Sequence, residues 1–196
     1  MSVSLRQLPN LITVMRIGLI VPIAVALLRG NLLMTMLLVS GAAVSDGADG
    51  FLAKRFGWQT ALGAVLDPAA DKLLLATVFV TLAILGGVPI WLVAAAVGRD
   101  VILVLGALAY RYRYGPLNIR PTIISKINTL CQLAFILGVL GRQALDFPPE
   151  WVVTLMGALV LVTVAVSGLD YVLAFILRAR AQRARGVATG HLQGPQ

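Results

Sequence analysis

Cys131 is the only cysteine in the chain and His191 the only histidine. An intramolecular disulfide and CxxC redox chemistry are therefore excluded. Cys131 reads as a packing residue in an apolar stretch. His191 lies in the polar closing segment GVATGHLQGPQ, which argues against catalysis or metal binding by histidine. Without paired thiols or imidazoles, zinc is disfavoured. Charge is scarce as well. Asp, Glu, Lys and Arg make up 12% of the residues, against roughly 25% in an average soluble domain. Hydrophobic residues reach 59% and the mean hydropathy is +0.93. This balance excludes an ordinary soluble domain and points to an integral membrane protein.

Six apolar stretches are present, at 11–29, 32–53, 72–90, 91–110, 123–141 and 151–177. Each approaches the ~20 residues that an α-helix needs to cross a bilayer. The expected fold is all-α: a polytopic membrane protein with six transmembrane helices and a short N-terminal interfacial helix. The third and fourth stretches are parted by Gly86, Gly87 and Pro89, so a tight turn is expected there. No repeat or second domain is visible, and residues 1–196 read as a single membrane domain. Within it, residues 1–9 read as the interfacial helix, ending at Pro9. MSVSLRQLPN has no small-residue cleavage site, so it does not read as a signal peptide. Residues 178–196 read as a basic tail, in which RARAQRAR prolongs the last helix and GVATGHLQGPQ is disordered.

The net charge is +8, and its placement says more than its size. Arg6, Lys54, Arg55, Lys72, Arg111, Arg113, Arg120, Lys126, Arg178, Arg180, Arg183 and Arg185 fall at one set of connections and termini. The opposite connections carry Arg29 and Arg142. By the positive-inside rule both termini are expected in the cytoplasm, and residues 54–66 along the cytoplasmic surface.

Half of the eight acidic residues sit in the 26 residues from Asp46 to Asp71. The run is SDGADGFLAKRFGWQTALGAVLDPAADK. On a helix, Asp46, Asp49, Gly50 and Ala53 share one face, and Asp67 and Asp71 share another. A carboxylate near the centre of a bilayer costs about 2.5–3.5 kcal/mol on insertion scales. Helix caps and ion pairs with Lys54, Arg55 and Lys72 would account for one or two of the four. Gly and Ala between the carboxylates leave space that an ion-pair network would fill. The arrangement favours a site for hard divalent cations, which take oxygen ligands and share them with substrate phosphates. Two such ions, Mg²⁺ or Mn²⁺, would serve phosphoryl transfer.

From Asp46 to Asp71 the chain resembles the signature of the CDP-alcohol phosphotransferases, D-x2-D-G-x2-A-R-x8-G-x3-D-x3-D. Asp46, Asp49, Gly50, Ala53, Gly63, Asp67 and Asp71 fall at its spacing. The one departure is Lys54, where the signature has Arg. Lysine keeps the charge but loses the planar fork that grips phosphate at two points. The resemblance implies a metal-dependent phosphatidyltransferase with a cavity on the cytoplasmic side. It implies Asp46, Asp49, Asp67 and Asp71 as metal ligands, with Asp71 also the general base. Gly50, Ala53, Lys54 and Gly63 would line the CDP site. PNLITVMR resembles the start of the family's first span, and there Asn10 and Thr13 are candidate CDP contacts. Their alternative readings are a helix cap and packing. Arg16, about two turns into that span, would reach substrate phosphate or pair with an aspartate. A homodimer is also implied by resemblance.

The implied substrates are CDP-diacylglycerol and a glycerol-type acceptor, with membrane lipids as surroundings and no nucleic acid. The segments GRDVILVLGALAYRYR and IRPTIISKINTLCQL resemble the eukaryotic-type cardiolipin synthases of this family, with phosphatidylglycerol as acceptor. LDPxADK and the pattern Ser167, Asp170, Tyr171 also resemble phosphatidylglycerolphosphate synthases, whose acceptor is glycerol 3-phosphate. Arg99, Arg120 and Lys126 are candidate acceptor contacts. Arg99 and Asp100 read equally well as a structural ion pair. Arg111 and Arg113 read better as part of a basic girdle at the inner headgroups. A cation transporter is the contrasting reading, but it predicts polar residues through the membrane depth rather than at one end.

Overall fold

The apolar stretches fold as six helices: α1 (Leu8–Leu28), α2 (Leu32–Phe56), α3 (Gly63–Ile84), α4 (Ile90–Tyr114), α5 (Ile123–Leu145) and α6 (Glu150–Gly190). They are seen in a computed structural model that describes residues 8–56, 63–114 and 123–190, with side chains at 14–47, 69–106, 112 and 123–170. Among the described residues there is no strand.

Short connections set the antiparallel order. At the end of α1, Gly30 N–H bonds to the Leu27 carbonyl at 3.0 Å and Asn31 N–H to that of Ala26 at 2.9 Å. Gly86 and Gly87 repeat the pattern after α3, on the carbonyls of Ala83 and Leu82. Each is a Schellman stop, and it requires the left-handed backbone that Gly30 (φ 72°) and Gly86 (φ 75°) adopt. Asn31 then caps α2: its Oδ1 accepts the N–H of Met34 at 3.2 Å. The expected turn between the third and fourth stretches is thus present.

The helix bounds differ from the apolar stretches at the other end. Pro9 lies in the first turn of α1, where its missing N–H costs nothing, and residues 1–7 of the expected interfacial helix are outside the described residues. Of the expected 54–66 connection, Lys54 to Phe56 belong to α2 and Gly63 onward to α3. The charged signature therefore lies largely on helices. Helix α6 takes in RARAQRAR and runs on to Gly190. Residues 191–196, with His191, lie outside the described set.

Of the six expected membrane spans, two are displayed within the described residues. Two helices are long and apolar enough to cross a bilayer, Ile123–Leu145 and Glu150–Asp170. Helices α1 and α2 are apolar over their described side chains, Val14–Leu28 and Leu32–Gly47.

Helix α1 packs on α2 and α3, α2 on α5, α3 on α4 and α5, and α6 on α4 and α5. The core joins Ile23 and Leu27 of α1, Val39 of α2, Phe79 and Leu82 of α3, and Ile136 and Leu140 of α5. Phe79 and Phe135 stack with centroids 6.0 Å apart. In lipid, helix association rests on close packing more than on water exclusion. Glycine supplies it here: a Cβ on Gly138 would come within 2.8 Å of Met156 Sδ, and one on Gly157 within 3.2 Å of the Phe135 ring. The outward face stays apolar, with Trp91 and Trp151 exposed near the starts of α4 and α6.

Candidate active site

Arg16 ties three helices together at one point. From α1 its Nη2 lies 2.6 Å from Asp46 Oδ1 of α2, and its Nη1 lies 2.5 Å from Asp71 Oδ1 of α3. Only 4% of Arg16 is exposed, whereas the two carboxylate side chains are 41% and 30% exposed. The guanidinium is therefore buried beneath carboxylates that open outward. At 1.5 Å per residue, Asp46 is about 20 Å from the start of α2 and Asp71 about 20 Å from the end of α3. Both sit far from the short turns, at the end of the bundle where the signature clusters.

Two carboxylates from different helices share one guanidinium. Asp49 follows Asp46 by one turn on α2, and Asp67 precedes Asp71 by one turn on α3. Their side chains lie outside the described residues, as do those of Gly50, Ala53 and Lys54 on α2 and Gly63 at the start of α3. The same holds for Asn10 and Thr13 on α1. Among the described residues no group of three or more acidic, His or Cys side chains forms a metal centre. The donor chemistry nevertheless fits Mg²⁺ or Mn²⁺: carboxylate oxygens from two helices converge on one cationic group, and all the donors are hard.

A second polar node lies on the other side of α3. Lys72 Nζ is 3.0 Å from Asp100 Oδ1, and Arg99 Nη1 is 2.5 Å from the same oxygen. Arg99 also donates from Nη2 to Ser125 Oγ of α5, at 3.3 Å, and to Ser167 Oγ of α6. Arg99 is 7% exposed, Ser125 8% and Ser167 0%. The node therefore joins α3, α4, α5 and α6. The Arg99–Asp100 pair anticipated from sequence is present, and Arg99 carries two serines besides. Below it, Thr163 Oγ1 of α6 donates to Asn128 Oδ1 of α5 at 2.9 Å.

Of the other acceptor candidates, Lys126 is exposed on the first turn of α5, and Arg120 lies outside the described residues. Ser125 and Asn128 were not legible as site residues, since a lone Ser or Asn in an apolar run signals equally a hydrogen bond within its own helix. Ser167 was visible as part of a sequence pattern, but its partner was not.

The chain matches the CDP-alcohol phosphatidyltransferase family over residues 6–178. It is 28% identical over 180 residues to the cardiolipin synthase (CMP-forming) of Rattus norvegicus, covering 84% of this chain and 60% of that protein. To the probable cardiolipin synthase (CMP-forming) of Drosophila melanogaster it is 30% identical over 186 residues, covering 87% and 58%. A probable phosphatidylglycerophosphate synthase of Mycobacterium tuberculosis (strain CDC 1551 / Oshkosh) is 27% identical over 173 residues, with 85% and 80% covered. The chain thus spans about 60% of the length of the cardiolipin synthases it matches.

Proposed function

The chain belongs to the CDP-alcohol phosphatidyltransferase family, and on that premise we propose that it moves the phosphatidyl group of CDP-diacylglycerol onto a hydroxyl of phosphatidylglycerol, releasing CMP. The observation that carries this reading is the meeting of Asp46 and Asp71 on Arg16. These residues open and close the signature, and the fold brings them to one cation.

In this reading Asp46, Asp49, Asp67 and Asp71 hold two divalent cations. When bound, those ions neutralise the diphosphate and the charge that builds on it. Asn10, Thr13, Gly50, Ala53, Lys54 and Gly63 bind the CDP moiety, with Lys54 offering positive charge to its phosphates. Asp71 accepts the proton of the acceptor hydroxyl. The hydroxyl oxygen bonds to the phosphorus nearest the diacylglycerol, and the bond from that phosphorus to the oxygen of CMP breaks. Arg16 orients Asp71 from below through its 2.5 Å contact. Arg99, Arg120 and Lys126 take the phosphate of the acceptor.

The charge pattern supports six spans with the site and both termini on the cytoplasmic side. A homodimer is part of the same proposal, by likeness to the family. Glycerol 3-phosphate is the second acceptor reading. It is supported by the similarity to the phosphatidylglycerophosphate synthase and by the Ser167, Asp170, Tyr171 pattern.

The test is CMP release from CDP-diacylglycerol by purified protein with Mg²⁺ or Mn²⁺. Phosphatidylglycerol and glycerol 3-phosphate are supplied in parallel and the products identified by mass spectrometry. CMP and cardiolipin with phosphatidylglycerol are expected. Absence of CMP with either alcohol would overturn the proposal.

A further inference from the structure

A cleft of about 300 Å³ lies between α3 and α4. Ala69, Lys72 and Ala76 of α3 face Val97, Asp100 and Val104 of α4 across it. Phe79, Ala96 and Gln132 close its deeper end, so α5 forms the back wall. The open side is flanked by Leu73, Val101 and Leu105, which are 53%, 49% and 59% exposed. Along α3 the lining runs from Ala69 to Phe79, about 15 Å at the helical rise. That is about half of the ~30 Å hydrocarbon core, the depth of one leaflet.

Three features identify the occupant. The walls are apolar apart from the Lys72–Asp100 pair and Gln132, so the cleft suits a hydrocarbon chain. The pair lies toward the end at the level of Asp71. Lys72 Nζ, 3.0 Å from Asp100 and on a side chain 29% exposed, sets an ammonium at that node, which complements a phosphodiester. Finally, among the described residues none of α1 or α2 lines the cleft. Those helices carry Arg16, Asp46 and, apart from Gly63 of α3, the residues assigned to CDP, so the cleft lies on the side of α3 away from them.

We infer that this cleft seats one acyl chain of the acceptor lipid, with its phosphodiester at the Lys72–Asp100–Arg99 node. The inference rests on the proposed lipid acceptor and goes further by assigning where that lipid is held. A small acceptor such as glycerol 3-phosphate has nothing to place there. The hydroxyl then approaches Asp71 from the α4 side while the CDP group occupies the α2 side. Consecutive residues of α3 serve the two substrates.

Two measurements test it, one of them independent of turnover. A phosphatidylglycerol with a diazirine midway along one acyl chain is photolysed with the full chain in phosphatidylcholine vesicles, and adducts are mapped by mass spectrometry. Adducts in 69–79 or 96–105 are expected, reduced by excess phosphatidylglycerol and not by CDP-diacylglycerol. Ala76→Phe, which fills the cleft from a half-buried position, should remove them. It should also raise KM for dioleoyl phosphatidylglycerol on the order of tenfold, equivalent to about 1.4 kcal/mol, and leave KM for CDP-diacylglycerol unchanged. Gln132→Leu makes the floor wholly apolar and should lower that KM or leave it unchanged.

Adducts elsewhere, competition by CDP-diacylglycerol, or a rise in KM with Gln132→Leu would each overturn the inference. Cleft adducts in a protein that releases no CMP would sink the proposed activity and leave the lipid site standing. Cardiolipin formation without cleft adducts would do the reverse.

Discussion

Asp71 and Lys72 are consecutive on α3, yet they are held by different halves of the bundle. Asp71 receives Arg16 of α1 at 2.5 Å, and Lys72 reaches Asp100 of α4 at 3.0 Å. Neighbouring residues on a helix point about 100° apart, because each turn takes 3.6 residues. A carboxylate and an ammonium in sequence therefore serve two separate nodes, one on either side of α3.

Removing Arg16 tests the first node. Arg16→Met leaves Asp46 and Asp71 close together without their cation. Loss of about 1–3 kcal/mol is expected in metal-free protein, less than the ~3–5 of a fully buried pair because both carboxylates are partly solvated. Thermal unfolding in detergent measures it. Addition of Mg²⁺ or Mn²⁺ should recover part of the loss if those carboxylates bind metal, and no recovery would argue against a site there.

Asp71→Asn keeps the shape of the side chain and removes its basicity. Turnover is expected to fall by about 10²–10⁴, while binding of CDP-diacylglycerol stays largely intact. Loss of binding instead would make Asp71 chiefly a ligand and move the base elsewhere.

Lys54→Arg restores the residue of the family signature. The guanidinium fork holds phosphate at two points, so activity should be kept or raised. A large fall in kcat/KM would mean that the site has adapted to the ammonium.

The second node is tested through its common acceptor. Asp100→Asn leaves the cations of Arg99 and Lys72 facing a neutral amide, and a fall in the thermal midpoint is expected. Ser167→Ala removes one hydrogen bond to a charged group, and a loss of about 1.5–3 kcal/mol is the scale for that. A midpoint unchanged in Ser167→Ala would show that Arg99 does not depend on α6.

Metal removal is the simplest check on the donor set. Chelation with EDTA should abolish CMP release, and Mg²⁺ or Mn²⁺ should restore it. Activity that survives exhaustive chelation would exclude the two-metal reading.

Much of this was legible from sequence because the signals are local. Gly86 and Gly87 marked the turn between α3 and α4, since a left-handed helix stop favours glycine. The spacing from Asp46 to Asp71 carried the reaction class through its resemblance to the family signature, while helix periodicity sorted those aspartates onto faces. The span count was less secure. Among the described residues, Ile123–Leu145 and Glu150–Asp170 are the two helices long and apolar enough to cross a bilayer. Arg16 was read as serving phosphate or an aspartate. Its pairing with two aspartates at once, from helices 30 and 55 residues away in sequence, has no local signature.

By itself, then, the sequence determined the helical membrane class, the turn between α3 and α4 and the clustering of the carboxylates, because composition, backbone stereochemistry and the 3.6-residue period act over a few residues. Only the tertiary structure decided which charges meet. It set Arg16 beneath Asp46 and Asp71, gathered Arg99, Asp100, Lys72, Ser125 and Ser167 at a second node, and left a cleft between α3 and α4. Those outcomes depend on how helices rotate and pack against one another, and packing is settled by contacts between residues far apart in the chain.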